Sequence, residues 1–315
     1  MRNKLLGRLR EFHESVPRKY KIRIAVFAML LVILLCVPPI FFGGRYVVSP
    51  INENGVTFVT LSLGQSNAAL ILGEGRAFMV DTGANAAEDT VIAALNYYGV
   101  KIIDGIFLTH EDEDHAGGLD RILEERSVRR VILTRECYLG VMRTGAGEHM
   151  TRAVKEKGTE IVYAECGQTL TYAPLSVEIL APVGVSFSEN DDSLVLRVVY
   201  GETAAIFLGD IEDAGEKALY LDVLSKQRDI RSALLMVAHH GAATSSNGAL
   251  LKEISPQFAV ISCGTDNSYG HPSAVVLERL RLLGAEVHRT DLEGTITIHS
   301  DGKIMRCEDW NVNVL

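Results

Sequence analysis

Apolar residues fall in short runs along most of this chain, and several runs end in a carboxylate or an imidazole. Residues 56–63, VTFVTLSL, and 67–72, NAALIL, flank Gly64 and predict a hairpin. RAFMV at 76–80 predicts a strand that stops at Asp81. The period then lengthens, and 86–98 predicts a helix ended by Gly99. GIFLTH at 105–110 reads as a buried strand that delivers His110 at its end. Helices are predicted over 117–126 and 146–157, with a strand at 129–133. The second half continues in kind. Strands are predicted at 159–163, 168–172, 175–181, 193–200 and 203–208, then a helix at 211–224. A strand at 233–238, a helix at 247–254, a strand at 257–262 and a helix at 272–283 follow, with closing strands at 285–288, 294–299 and 303–307. Strand-rich blocks mixed with helices predict an α/β architecture of sheets covered by helices. No linker interrupts residues 50–315, which read as one domain.

The N-terminal pattern differs. Residues 24–42, IAVFAMLLVILLCVPPIFF, carry no charge, and a helix of that length nearly spans a hydrocarbon core of about 30 Å. Eight Lys or Arg precede it against Glu11 and Glu14, and after it come only Arg45 and then Arg76. That asymmetry predicts a single-pass transmembrane helix, with residues 1–23 as a basic cytoplasmic segment and the remainder outside the cell membrane. The alternative is a cleaved signal peptide, disfavoured because the apolar run exceeds the usual length of about 7–15 residues.

Charge divides at the same boundary. The net charge is −9; residues 1–23 account for +6, leaving −15 for residues 24–315. Such an acidic body opposes tight non-specific binding to a phosphate backbone, which needs clustered Lys and Arg. Five cysteines, at 36, 137, 166, 263 and 307, show no C-x-x-C spacing, so a zinc ribbon is not indicated and buried thiols are expected.

The chemistry concentrates where strands end. THEDEDHAGG at 109–118 holds His110, Asp112, Asp114 and His115 in an H-x-D-x-D-H pattern ahead of a double glycine. Alternate residues of an extended loop project to one side, so His110, Asp112 and Asp114 can converge, and imidazole with carboxylate suits divalent metals. Asp210 follows the run IFLG, and His239 and His240 follow LLMVA. Each has a simpler reading: Asp210 as a helix N-cap, the histidine pair as ordinary surface groups. Three apolar strands that each end in metal-binding side chains favour a metal site. Asp81 is a fourth strand-end acid, expected to orient a ligand histidine.

FMVDTG, LTHEDEDHAGG, FLGD, AHHG and NSYGHP occur in the order expected of the metallo-β-lactamase superfamily, and the chain resembles its ComEC-like branch, the hydrolase domain of DNA-uptake (competence) proteins. GQSNAALI, ENDDSLVLRV, ISCGTDN and RTDLEGTITI extend the resemblance over residues 56–300. It implies an αββα sandwich with two divalent metal ions, Zn or Mn, between the sheets. By resemblance His110, Asp112 and a bridging Asp210 serve one ion; Asp114, His115, Asp210 and one of His239 and His240, taken as His240, serve the other. Asp114, His239 and His271 are the candidate catalytic residues, the histidines to touch phosphate or protonate a leaving group. Asp112 stands where lactamases carry a histidine, as it does in the ComEC-like branch. No third lactamase-type histidine is evident: only His149 lies between His115 and Asp210, in a helix-like context, and Asn190–Ser193 occupy the corresponding region. Gly64-Gln65-Ser66-Asn67-Ala68 departs from the branch's G-Q-G-D-A, and Ala242 from its H-H-G-S.

The expected function is a membrane-anchored, metal-dependent hydrolase of phosphodiesters, a nuclease acting on single-stranded DNA or an envelope phosphodiesterase. The alternatives are a β-lactamase or ester hydrolase, and a non-enzymatic accessory protein of DNA uptake or envelope assembly. No protein partner is inferred.

Overall fold

The computed structural model describes residues 54–184 and 188–308. The expected membrane segment 24–42 and basic segment 1–23 lie outside the described residues. Among the described residues no helix is long and apolar enough to cross a membrane.

Two sheets stack face to face. The first half supplies β1 (Val56–Thr60), β2 (Ala69–Gly73), β3 (Arg76–Val80), β4 (Ile102–Ile103), β5 (Gly105–Phe107), β6 (Ser127–Val128), β7 (Arg130–Leu133) and β8 (Glu160–Tyr163). The second supplies β9 (Thr169–Tyr172), β10 (Leu175–Ala181), β11 (Val195–Tyr200), β12 (Thr203–Phe207), β13 (Leu234–Met236), β14 (Phe258–Ile261), β15 (Glu286–Arg289), β16 (Ile296–Ser300) and β17 (Met305–Glu308). The eight-stranded sheet runs β17-β16-β1-β2-β3-β5-β7-β8, and the seven-stranded sheet runs β15-β14-β13-β12-β11-β10-β9. β16 and β17 return from the end of the chain to close the first sheet beside β1. The small pair β4-β6, not anticipated from the sequence, stands apart.

Alternation along each strand sorts its side chains between two cores. In β2, Ala69 and Ile71 face the layer between the sheets, where they meet Phe58, Phe78, Phe107, Leu196 and Phe207. Leu70 and Leu72 face outward onto the helix Glu88–Tyr97, through Val91 and Leu95. The other sheet repeats this: Phe207 points inward, while Ile206 and Leu208 pack under the helices Asp213–Lys226 and Ala274–Leu283. Phe58 and Phe207 meet across the layer with ring centroids 6.4 Å apart. Each such buried side chain stabilises by about 1.5–3 kcal/mol, so the strands read as unbroken apolar runs because both faces are covered. The result is the expected αββα sandwich.

The pairing explains the strand ends. β3, β5 and β7 are parallel, as are β12, β13 and β14. Their carboxyl ends gather at one edge of the sandwich, the position where open α/β sheets place ligands. The helix Arg135–Val141 was not predicted, although Thr134 marks its start: the Thr134 hydroxyl accepts from Cys137 N at 3.1 Å. Among the described residues Cys137, Cys166 and Cys263 are free thiols, Cys137 and Cys263 buried.

Candidate metal centre

Asp81 follows β3, His110 follows β5, Asp210 follows β12 and the His239–His240 pair follows β13. Asp81, His239 and His240 adopt left-handed backbone angles, with φ of 58°, 48° and 53°. Such angles are strained for side-chain-bearing residues and cluster where a site over-determines the backbone. Gly209, just before Asp210, shows why the chain is tight here. Its φ is +59°, and a Cβ there would stand 2.9 Å from the Cβ atoms of both Ser193 and Thr109. The two sheets are therefore nearly in contact at the point where Asp210 leaves its strand. Leu194 N donates to Thr109 O at 2.8 Å and stitches them together.

The N-cap role that was the simpler reading of Asp210 is filled by another residue. Asp191 Oδ1 accepts from Glu212 N at 3.1 Å and Gly215 N at 2.8 Å, at the start of the helix Asp213–Lys226. Asp210 is instead anchored by its own N–H, which donates to Ser193 Oγ at 3.1 Å. So the stretch Asn190–Ser193 caps a helix and braces Asp210, and Asp210 keeps its carboxylate for the site.

Donor atoms of Asp114, His115, Asp210 and His240 lie within 4.8 Å of one another. His115 Nε2 is 3.2 Å from Asp210 Oδ1 and 3.7 Å from Asp114 Oδ2. His240 Nε2 is 3.0 Å from Asp114 Oδ2 and 3.9 Å from Asp210 Oδ2. The far nitrogen of each ring is committed elsewhere: His115 Nδ1 lies 2.8 Å from Asp81 Oδ2, and His240 Nδ1 donates to Ser262 O at 2.9 Å. Both Nε2 atoms are thereby turned to the cluster, the orientation in which histidines bind metals. Asp81 is itself held, its Oδ1 accepting from Thr109 N at 2.8 Å.

Beside this group the His110 ring lies 4.1 Å from that of His115, centroid to centroid, and His110 Nε2 is 3.6 Å from Asp112 Oδ2. His239 Nε2 is 3.6 Å from Asp210 Oδ2, and its Nδ1 is 3.2 Å from Glu212 Oε1. His110 Nε2 and Asp210 Oδ1 are buried without a hydrogen-bond partner among the described residues. Orphaned buried donors and acceptors are costly in a native fold. Their presence beside a convergent His/Asp set fits divalent metal ions. Of the histidine pair, His240 belongs to the four-residue cluster, while His239 is the more exposed and stands at its rim.

Charge balance points the same way. Burial opposes ionisation of Asp210, but His115, with His240 and His110, outweighs it and holds the carboxyl far below the carboxylate range. Burial likewise opposes charging of His115 and is outweighed by Asp210 and Asp81. Asp112 is lowered chiefly by its contact with His110. The cluster keeps its carboxylates ionised, as ligands must be.

The two remaining acids of the THEDEDHAGG stretch differ from each other. Glu113 is exposed, and its Oε1 accepts from Asn85 N at 2.9 Å. Glu111 is half-buried against Gly140 of the helix Arg135–Val141; a Cβ at Gly140 would collide with its carboxyl group. Burial raises its pKa. His149 lies in the helix Ala146–Arg152 and joins no donor cluster among the described residues. Two residues were missed as site residues: Asn67, whose Nδ2 is 3.4 Å from His115 Nε2, and Gln65, which meets His271. The only signal was their place in a glycine-led loop after a strand.

His271 completes the rim. Its ring lies 5.7 Å from that of His239 and 6.3 Å from that of His240, stacked on the latter at 19°. Tyr269, 71% exposed, also stacks with it at 5.6 Å. Burial, and then the neighbouring histidines, lower the His271 pKa.

The family model described as "Metallo-beta-lactamase superfamily" matches residues 61–265. ComE operon protein 3 of Bacillus subtilis (strain 168) is 32% identical over 210 residues, 66% of this chain and 26% of that protein. Competence protein ComA of Neisseria gonorrhoeae is 32% identical over 249 residues, 78% of this chain and 32% of that protein. Recombination protein 2 of Haemophilus influenzae is 28% identical over 247 residues, covering 76% and 28%. The chain thus spans about a third or less of the length of these relatives. Among solved structures, the diiron β-hydroxylase CmlA from Streptomyces venezuelae superposes with a TM-score of 0.54 at 16% identity, over 79% of this chain and 55% of that one. YhfI from Bacillus subtilis gives 0.52 at 12% identity, over 78% and 100%. At such identities these likenesses speak to the fold alone.

Proposed function

The chain belongs to the metallo-beta-lactamase superfamily and is similar to its competence proteins, and from this premise we propose that it is a two-metal hydrolase of phosphodiester bonds. One observation carries the reading: a donor cluster of two carboxylates and two imidazoles, Asp114, His115, Asp210 and His240, with the unpartnered Nε2 of His110 beside it. Carboxylate donors suit hard divalent ions, and hard ions grip phosphoryl oxygens. Asp112 in place of a histidine adds to that hardness and makes Mn a rival to Zn.

Asp114, His115, Asp210 and His240 would hold one ion, and His110 and Asp112, with Asp210 between, the other. When bound, such ions lower the pKa of a water and polarise the phosphoryl oxygen. Asp81 keeps His115 turned inward, and the Ser262 carbonyl does the same for His240. His239, at the rim between Asp210 and Glu212, is our candidate to pass a proton to the leaving oxygen. Glu111, Asp112, Glu113 and Asp120 line an adjoining open pocket. Those acids repel a polyanion, so attraction for phosphate rests on the metals and substrate engagement is local. Single-stranded DNA and envelope phosphodiesters are both within this class. Residues 24–42 are read as the membrane anchor, with the hydrolase outside the cell, on the strength of their uncharged length and the basic residues before them.

The test is hydrolysis of bis(p-nitrophenyl) phosphate and of single-stranded DNA by the full chain loaded with Mn or Zn. Metal-dependent turnover that disappears in the His110→Ala, Asp114→Ala double variant is the expected result. Full activity in that variant would refute the reading.

A further inference from the structure

Gln65 and His271 come from opposite sheets and meet at the rim, 206 positions apart in sequence. Gln65 lies in the loop between β1 and β2; His271 lies in the loop after β14. Two bonds dock these loops. Ser262 Oγ donates to Ser66 O at 2.7 Å, and Gly264 N donates to Gln65 Oε1 at 3.2 Å. The approach is so close that a Cβ on Gly264 would stand 3.1 Å from Gln65 N. The His271 backbone is gripped as well: Asn267 Nδ2 donates to His271 O at 2.6 Å, and His271 N donates to Asn267 Oδ1 at 2.9 Å.

This geometry fixes a proton. A backbone N–H can only donate, so the Gln65 atom facing Gly264 is the amide oxygen. The Gln65 NH₂ group is then the one that faces His271, with Nε2 3.1 Å from Nδ1. An amide NH₂ cannot accept, so Nδ1 must. An imidazole that accepts at Nδ1 carries its proton on Nε2. We propose that Gln65 is a positioning residue that locks His271 in its Nε2–H tautomer, so that His271 meets the substrate phosphate as a neutral hydrogen-bond donor.

The rest of the rim supports this role. Among the described residues His271 Nε2 has no hydrogen-bond partner, so its N–H is uncommitted. The ring stacks with Tyr269 and with His240, and a donor set in place beforehand needs no reorganisation when charge develops. Of the two tasks foreseen for His271, contact with phosphate is retained; protonation of the leaving group passes to His239. The tautomer stands on the hydrogen bonds alone, whereas its use on phosphate rests on the phosphodiesterase reading above.

Imidazole nitrogen NMR of the zinc-loaded full chain in detergent, labelled with nitrogen-15 histidine, tests both parts. The His271 signals are assigned by their loss in His271→Asn. In the wild type, Nε2 is expected to carry the proton and Nδ1 to be bare. Gln65→Glu puts an acceptor where the donor was and should move the proton to Nδ1, while Gln65→Leu should give a mixture of tautomers. With bis(p-nitrophenyl) phosphate, Gln65→Glu should lower kcat at least about 10-fold with KM within about 2-fold, as for loss of one preorganised donor. A wild-type proton on Nδ1, or an unchanged tautomer in Gln65→Glu, overturns the clamp. A switched tautomer with unchanged kcat overturns the donor role. A wild type that cleaves no phosphodiester refutes the functional reading, and the NMR still decides the tautomer.

Discussion

Asp81 Oδ2 lies 2.8 Å from His115 Nδ1, and this contact selects the imidazole nitrogen that faces Asp210. Both residues are buried, so the pair is rigid and poorly replaced by water. Asp81→Asn keeps the shape but removes the charge that fixes the ring. Loss of such an outer partner weakens metal binding by about 10–100-fold. Equilibrium dialysis against zinc should show that loss; unaltered affinity would mean that Asp81 does not orient His115.

Gly209→Ala tests how tightly the sheets approach beside Asp210. The substitution forces a left-handed backbone on alanine and drives its methyl group to within 2.9 Å of Ser193 and Thr109. Together the backbone strain and the overpacking should cost about 2–4 kcal/mol. Urea unfolding monitored by circular dichroism measures it, and a loss below about 1 kcal/mol would show that the sheets yield there.

Glu216 predicts a pH dependence remote from the metal cluster. It is buried, and its carboxylate accepts from Ser246 N at 2.6 Å and Asn247 N at 2.7 Å. Burial outweighs those bonds and raises its pKa from an ordinary 4.5 to about 7. A raised folded-state pKa means the native protein binds the proton more tightly than the unfolded chain. Its contribution to stability is therefore full below about pH 4.5 and is lost as pH rises through about 7. The loss is on the order of 3 kcal/mol. Glu216→Gln does not titrate, so the difference in unfolding free energy between the two proteins should change by that order from pH 4.5 to 7.5. A constant difference would refute the assignment.

The strand-end ligands were readable in the sequence for a physical reason. Parallel strands covered on both faces become unbroken apolar runs, so His110, Asp210 and His240 stand out at their ends. The αββα layering followed from the same runs. Roles set by distant partners were not readable. That Asp191 caps the helix after Asp210 depends on a turn brought in from another strand connection. The burial of Glu111 was not readable because nothing local reveals the helix Arg135–Val141 against which it packs. Gln65 could not be paired with His271 without knowing that the β1–β2 loop docks against the loop after β14. The strands Ile102–Ile103 and Ser127–Val128 are too short to carry any period.

The donors of the four-residue cluster come in equal numbers from the two halves of the sandwich: Asp114 and His115 from the short helix Glu113–Ala116 after β5, Asp210 and His240 from beyond the ends of β12 and β13. An ion held there acts as a rivet through two plates. Its binding energy opposes their separation, adding about 2.7 kcal/mol when free metal is a hundredfold above the dissociation constant. A chelator would then lower the unfolding free energy by that amount, so occupancy of the cluster would be legible as stability, apart from any assay of turnover.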